Sequence, residues 1–311
     1  MENRLPIYFS GNFNVPRIGF GKIKREHILT FFALSAAIIF WASAFAGIRV
    51  GLEGYTPTQL ATVRYMVASL VLIPYALITR MPLPRLRDLP GIALIGFVGF
   101  TLYNILLNAG EQTVATGLAS FVISAEIGAI AVLASIFLGE RLQTRAWLGV
   151  VLCLVGVGVI SFSSGGGFEF SPGVLLVFGA MLSISVYSVL QKPFLKRYSA
   201  IQLTTYSIWA GTLFLLVISP TAITAVPAAP IQATLAVIYM GIFPGVIAYI
   251  GWTYVLSQIP ASRAGSFLAV IPLAALLIGW LWLGEVPPPV SLIGGAIVLI
   301  GVMLVNRQMS S

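Results

Sequence analysis

The stretch IFLGERLQTRAWLGVVLCLVGVGVI, Ile136–Ile160, decides the fold once it is set beside LWLGEVPPPVSLIGGAIVLIGVMLV, Leu281–Val305. Each carries Leu-Gly-Glu ahead of an apolar run. Glu140 and Glu285 lie 285 − 140 = 145 residues apart. At that offset Gly149 meets Gly294 and Gly156 meets Gly301, and further upstream Gly96 meets Gly241. The chain therefore reads as two copies of one unit. They differ in charge: Arg141 and Arg145 follow the first glutamate, whereas Val286 and Pro287–Pro289 follow the second.

Composition says where such a unit can live. Of 311 residues, 59% are hydrophobic and 8% charged, against about 25% charged in soluble domains. A helix needs roughly 20 apolar residues to cross the hydrocarbon core. About ten runs approach that length: Ile28–Val50, Thr58–Thr79, Leu89–Ala109, Val114–Leu138, Ala146–Ser163, Pro172–Gln191, Ala200–Ser219, Ile231–Leu256, Ala264–Leu283 and Val290–Asn306. The connections are short, which leaves no room for a soluble domain. Long unbroken runs also argue against a membrane β-barrel, whose strands alternate. The expected fold is an all-α integral membrane protein with about ten transmembrane helices. Residues 1–27 form a cytoplasmic segment, 28–163 a first five-helix repeat and 172–306 a second.

The net charge of +8 does not point to nucleic acid, because its placement has another cause. Lys and Arg crowd the segment before the first run and every second connection: Arg80, Arg85 and Arg87, then Arg141 and Arg145, then Lys192, Lys196 and Arg197, with Arg307 after the last run. The alternate connections hold Glu53, Glu111, Glu169 and Glu285. This is the positive-inside pattern. It puts both termini in the cytoplasm; the expected location is the inner (cytoplasmic) membrane. Five runs per copy is an odd number, so the second copy inserts inverted. Inverted repeats are characteristic of secondary transporters, in which two halves exchange conformations around a midplane site.

The residues also carry a resemblance. FWASAFAGIRV at Phe40–Val50, Arg64 early in the second run, FLGERL and WLGEV closing the fourth and ninth runs, and Pro272 thirteen residues before Glu285 resemble the EamA-type branch of the drug/metabolite transporter superfamily. The resemblance covers about Ile28 to Asn306. It implies ten helices in two inverted halves and export of small metabolites. The amino-acid branch includes the YddG-type aromatic amino-acid exporters. One departure is that the position matching Pro272 is Ile127, preceded by an acid, Glu126.

Two charges lie well inside runs, Arg64 and Glu126. A charge in mid-membrane costs about 2.5–3.5 kcal/mol on insertion scales, so each needs a partner or a use. Both runs descend from the outer side, which lets the two side chains approach one another. Arg64 reads either as a packing residue bound to carbonyls or an acid, or as a substrate contact. Glu126 reads either as a neutral, hydrogen-bonded acid or as a proton site or partner for a substrate amine. Among the deep aromatics, Trp41, Tyr103, Trp209 and Tyr249 are candidate cavity walls, with Tyr65 and Tyr187 ranked behind them. Asn104 and Asn108 share a helix face at i and i+4 and either line a cavity or bond between helices. Pro74, Pro244 and Pro272 interrupt runs and are static bends or hinges. Arg49 reads as an interfacial anchor, and Glu140 and Glu285 as caps or tethers of helix ends.

What the sequence lacks narrows the function. The only histidine, His27, precedes the first run, and the only cysteine, Cys153, lies within one. No intramembrane metal cluster or nucleophile–histidine pair is available, so an intramembrane enzyme is disfavoured and no metal or cofactor is expected. No GxxxxGK[ST] loop is present, which argues against ATP-driven pumping. The reading is a monomeric transporter with a small-molecule substrate and membrane lipids for partners. The resemblance, helped by an aromatic-rich interior with one acid and one base, implies amino acids as the favoured substrate; a drug-like cation, a sugar nucleotide or a lipid headgroup is the alternative.

Overall fold

A computed structural model describes residues 20–138, 144–164, 171–258 and 268–309. Every regular element among them is helical. The first copy holds α1 (Phe20–Gly51), α2 (Pro57–Ile78), α3 (Leu89–Gly96), α4 (Tyr103–Gly110), α5 (Thr116–Ser124), α6 (Glu126–Leu138) and α7 (Thr144–Ser164). The second holds α8 (Pro172–Leu190), α9 (Ala200–Ile218), the single turn α10 (Ala222–Ala225), α11 (Ile231–Ile242), α12 (Ala248–Gln258), α13 (Ile271–Ile278) and α14 (Pro289–Met309). Among the described residues, seven spans are long and apolar enough to cross a bilayer, and Thr144–Ile160, Ile271–Leu283 and Pro289–Val305 are shorter apolar helices. The first helix begins at Phe20, inside the expected 1–27 segment. Large apolar side chains cover the outside of the bundle, with Ile78 82% and Val217 80% exposed. Such a surface suits lipid, where all backbone groups must be satisfied internally, as helices do.

The element-to-element packing closes a ring. α1 packs on α11 and α12; α11 and α9 pack on α2; α9 packs on α3; α4 packs on α8; α8 packs on α5 and α6; α5 packs on α13, which returns to α1. Exchanging the two copies maps this ring onto itself. The exchange is visible in local chemistry as well. Thr56 caps α2 and Ser199 caps α9, each in a capping box with a glutamine at N3. Such a box satisfies two of the first-turn N–H groups that a helix leaves open.

α3 and α4 are joined by a π-helical segment, Phe97–Leu102, and α11 and α12 by another, Phe243–Ile247. At the 145-residue offset Phe97 falls on Ile242 and Leu102 on Ile247, so the two segments are equivalent. The glycines just before them let backbones touch. A Cβ on Gly96 would sit 2.6 Å from the Ser207 carbonyl oxygen, and one on Gly241 would sit 2.7 Å from that of Arg64.

α7 and α14 lie side by side, outside the ring, along the glycines that first revealed the repeat. A Cβ on Gly149 would stand 2.6 Å from the Gly301 oxygen, and one on Gly156 would stand 2.6 Å from that of Gly294. The two helices therefore run antiparallel. At the offset, the pair Gly149 with Gly301 becomes Gly294 with Gly156, so the seam is its own image. Cys153 lies at its middle, with its thiol 3.7 Å from the Val298 carbonyl oxygen, and 153 + 145 = 298.

The expected fourth run is not one helix. It breaks at Ala125, between α5 and α6. Its counterpart in the second copy is Val270, the N-cap of α13. Pro272 is thus not a bend within a helix but a first-turn residue, where its missing N–H costs nothing. Pro244 does lie within a span, in the π-helical Phe243–Ile247.

Candidate functional site

Every span of the ring lends side chains to a central cavity of about 510 Å³. That lies within the roughly 300–1,000 Å³ of small-molecule sites. Among the sequence candidates, Trp41, Arg64, Tyr103, Glu126, Tyr249 and Pro272 line it. Glu126 heads α6, where the helix break turns a carboxylate and a helix N-terminus toward the same space. The positive end of the helix dipole favours an acid there. Among the described residues no ion pair or side-chain hydrogen bond engages the Glu126 carboxylate. The expected approach of Arg64 and Glu126 does not take the form of a salt bridge.

Arg64 enters the cavity from α2. It is only 4% exposed. Its guanidinium donates to Asn104 Oδ1 at 3.3 Å and lies 5.3 Å from the Tyr65 ring centre. Its Nε has no partner. Asn104 in turn donates to the Tyr65 hydroxyl at 3.2 Å and to the Phe100 carbonyl at 2.8 Å. This network fixes the head group while leaving a donor unused, and a buried unused donor costs about 1–3 kcal/mol.

The walls are aromatic. Trp41 stacks edge-on against Tyr249 at 5.3 Å and Trp252 at 5.7 Å, and donates to the Pro244 carbonyl at 3.3 Å. That carbonyl belongs to the π-helical segment, so the segment carrying Pro244 is tied to a cavity wall. Phe100 packs behind Tyr187 and Tyr249 at 5.5 Å each.

Four candidates are not among the lining residues: Tyr65, Asn104, Asn108 and Trp209. Asn104 is fully buried behind Arg64 as described, and its face-mate Asn108 donates to the Pro57 carbonyl at 3.0 Å. The asparagine pair bonds between helices instead of lining the site. Trp209 packs on Tyr206 with ring centres 6.4 Å apart, away from the cavity. Hydropathy gives a residue's depth but not the direction in which it points. Residues that the sequence did not single out also line the space: Trp252, Ser120, Ser124, Gln191 and Tyr198.

The cavity is one-sided. Its lining runs to Gln191, Leu195, Tyr198 and Ser199, beside the basic connection of Lys192, Lys196 and Arg197. There Asp88 ties the connections together, accepting from Arg197 at 2.9 Å and from the Tyr198 hydroxyl at 2.7 Å. At the other end the lining stops at Ile48, Leu107 and Ser120. Beyond it, Arg49 pairs with Glu285 at 3.2 Å. Glu285 also accepts the Thr116 N–H at 2.8 Å. It thereby caps α5, whose own N-cap, Ala115, has no side-chain acceptor. Arg49 thus ties α1 to the second copy, and Glu285 is a helix cap acting from that copy. Glu140 lies outside the described residues.

The EamA-like transporter family matches residues 28–162 and again residues 171–307. The chain belongs to this family. An "Uncharacterized transporter YdfC" of Bacillus subtilis (strain 168) is 41% identical, over 90% of this chain and 92% of its own length. A "Probable terminal-alkyne amino-acid exporter" of Streptantibioticus cattleyicolor is 38% identical, over 89% and 93%. An "Uncharacterized inner membrane transporter YedA" of Escherichia coli (strain K12) is 28% identical, over 91% and 92%. A solved structure titled "Crystal structure of protein" shares the fold with a TM-score of 0.63 at 19% identity, over 93% of this chain and 99% of its own. The protein is a multi-pass membrane transporter.

Proposed function

We propose that this transporter exports amino acids, those with aromatic and other apolar side chains above all, across the inner membrane. It crosses the bilayer ten times, as two inverted five-helix repeats with both termini in the cytoplasm. The single observation that carries the reading is the cavity, where Glu126, whose carboxylate has no ion pair among the described residues, and an arginine with a spare donor, Arg64, share one aromatic-walled space. An amino acid supplies an ammonium for the first, a carboxylate for the second and a side chain for Trp41, Tyr103, Tyr249 and Trp252. The relative whose printed name is an amino-acid exporter supports the substrate class.

Alternating access supplies the transport mechanism. In this orientation the cavity reaches toward the cytoplasm, ready to load, and the Arg49–Glu285 end is sealed on the outer side. Exchange of conformation between the copies reverses the two ends, as expected for inverted repeats around a midplane site built on broken helices. The breaks at Ala125 and Val270 sit at equivalent points of the two copies.

The test is uptake into liposomes holding the purified protein alone, without ATP, across a panel of radiolabelled solutes. Tryptophan, phenylalanine and leucine are expected to exchange faster than alanine. Movement of a sugar nucleotide or a cationic drug, with no amino acid moving, overturns the substrate assignment.

A further inference from the structure

The sealed end holds more acid than it can neutralise. Glu111, in the connection after α4, is fully buried, and among the described residues neither carboxyl oxygen has a hydrogen-bond partner. The charged groups facing it come from three directions. Arg49 projects from α1 and donates to the backbone carbonyl of Glu111 itself, and at 3.3 Å to that of Gln112. Glu285 comes from the second copy, and its carboxylate is already committed to the Arg49 guanidinium and the Thr116 N–H. Arg64 acts from α2, while Tyr103 is the titratable neighbour on the helix before it.

Of the two arginines that face Glu111, Arg49 is paired with Glu285 and Arg64 donates to Asn104. A second ionised carboxylate, buried without a donor, costs several kcal/mol and is avoided by taking up a proton. Water reaches this pocket only if the end opens. Opening must also separate Glu285 from Thr116, because that contact joins the two copies. It frees Arg49 at the moment Glu111 is rehydrated.

We propose that Glu111 is a proton-binding site, filled as the Arg49–Glu285 end closes and emptied as it opens. The inference rests on the alternating-access reading and adds a ligand to it. Burial pushes the Glu111 carboxyl well above the usual range; Arg49 opposes this shift, Glu285 adds to it and Arg64 opposes it. The sign follows. The closed end binds more protons than the open end, so closure is favoured at low pH and lost as pH rises through the closed-state value. An acidic outer side would return the emptied transporter to its loading state.

The experiment needs no transported solute, so its outcome is separate from the amino-acid assignment. The full chain carries Cys153→Ser, with spin labels on Gln112→Cys and Val286→Cys, two exposed positions flanking the closure on different copies. Pulsed electron–electron distances are recorded in lipid nanodiscs from pH 5 to pH 9. A short distance is expected at pH 5, with a longer one growing as pH rises. The ratio of long to short rises by at most about tenfold per pH unit, the limit for one released proton. Glu111→Gln, a neutral acid mimic, should keep the short distance at every pH. Glu111→Met, apolar and of similar length, serves in its place if the amide does not fold. A pH-independent distribution in the parent protein overturns the proposal. So does a Glu111 variant that still follows the parent's pH response.

Discussion

Gly156 and Gly158 are two residues apart on α7, yet alanine should act on them in opposite directions. At Gly156 an added Cβ would stand 2.6 Å from the Gly294 carbonyl oxygen and 2.8 Å from the Val298 nitrogen. At Gly158 it would meet nothing within 4 Å. Ordinary contact begins at 3.4 Å, so α7 and α14 would have to part by about 3.4 − 2.6 = 0.8 Å at Gly156. The obstacle is backbone and cannot rotate away. A gap of 0.5–1 Å forfeits about a quarter to a half of each dispersion contact, and overpacking of this kind costs about 1–3 kcal/mol.

Both substitutions gain the same helix propensity, up to about 1 kcal/mol for Gly to Ala. Comparing the two variants cancels that gain and leaves the steric term. Gly158→Ala should be neutral or more stable than the parent. Gly156→Ala should be less stable than Gly158→Ala by about 1–3 kcal/mol. Reversible unfolding of the purified protein in mixed micelles of rising denaturing-detergent fraction measures the difference. If Gly156→Ala proves as stable as Gly158→Ala, the helices are not in backbone contact there and the self-symmetric seam is wrong.

Two further outcomes are expected. Glu126→Gln keeps the size of the side chain and its place at the head of α6 but removes the carboxylate, so the liposome exchange rate should fall at least tenfold while the protein still purifies and inserts; parental rates across pH 5–8 would remove Glu126 from substrate binding. On a Cys153→Ser background, an impermeant thiol reagent added to whole cells should label Val286→Cys, 78% exposed, and spare Thr144→Cys; equal labelling of both would contradict the inverted orientation of the two copies.

The repeat was legible because it is written in residues with one job each. Gly149, Gly156, Gly294 and Gly301 stand in register since each must let a carbonyl approach, and no other residue can. The break at Ala125 was only half legible. The run from Val114 to Leu138 has no proline, and it is apolar on both sides of Glu126. The signal was in the other copy, where Pro272 marks the first turn of α13 and the offset carries that mark back to Ile127. An inverted repeat lets one half annotate the other.

The site was legible in depth and not in direction. Trp41, Trp209 and Tyr249 all lie far from the run ends, yet Trp209 turns to Tyr206 while the other two turn inward. Azimuth depends on which helices are neighbours, and ring order is set by contacts between segments remote in sequence. The same limit hid the closure. Arg49 and Glu285 are 285 − 49 = 236 residues apart, and each alone looks like an ordinary charge at a helix end. What distinguishes them is the third group. An arginine paired with one glutamate is a tether, and an exposed tether contributes little. With Glu111 buried beside it and left without a donor, the pair can form only when the neighbouring acid is neutral. A contact that holds the two copies together is thereby made conditional on a proton.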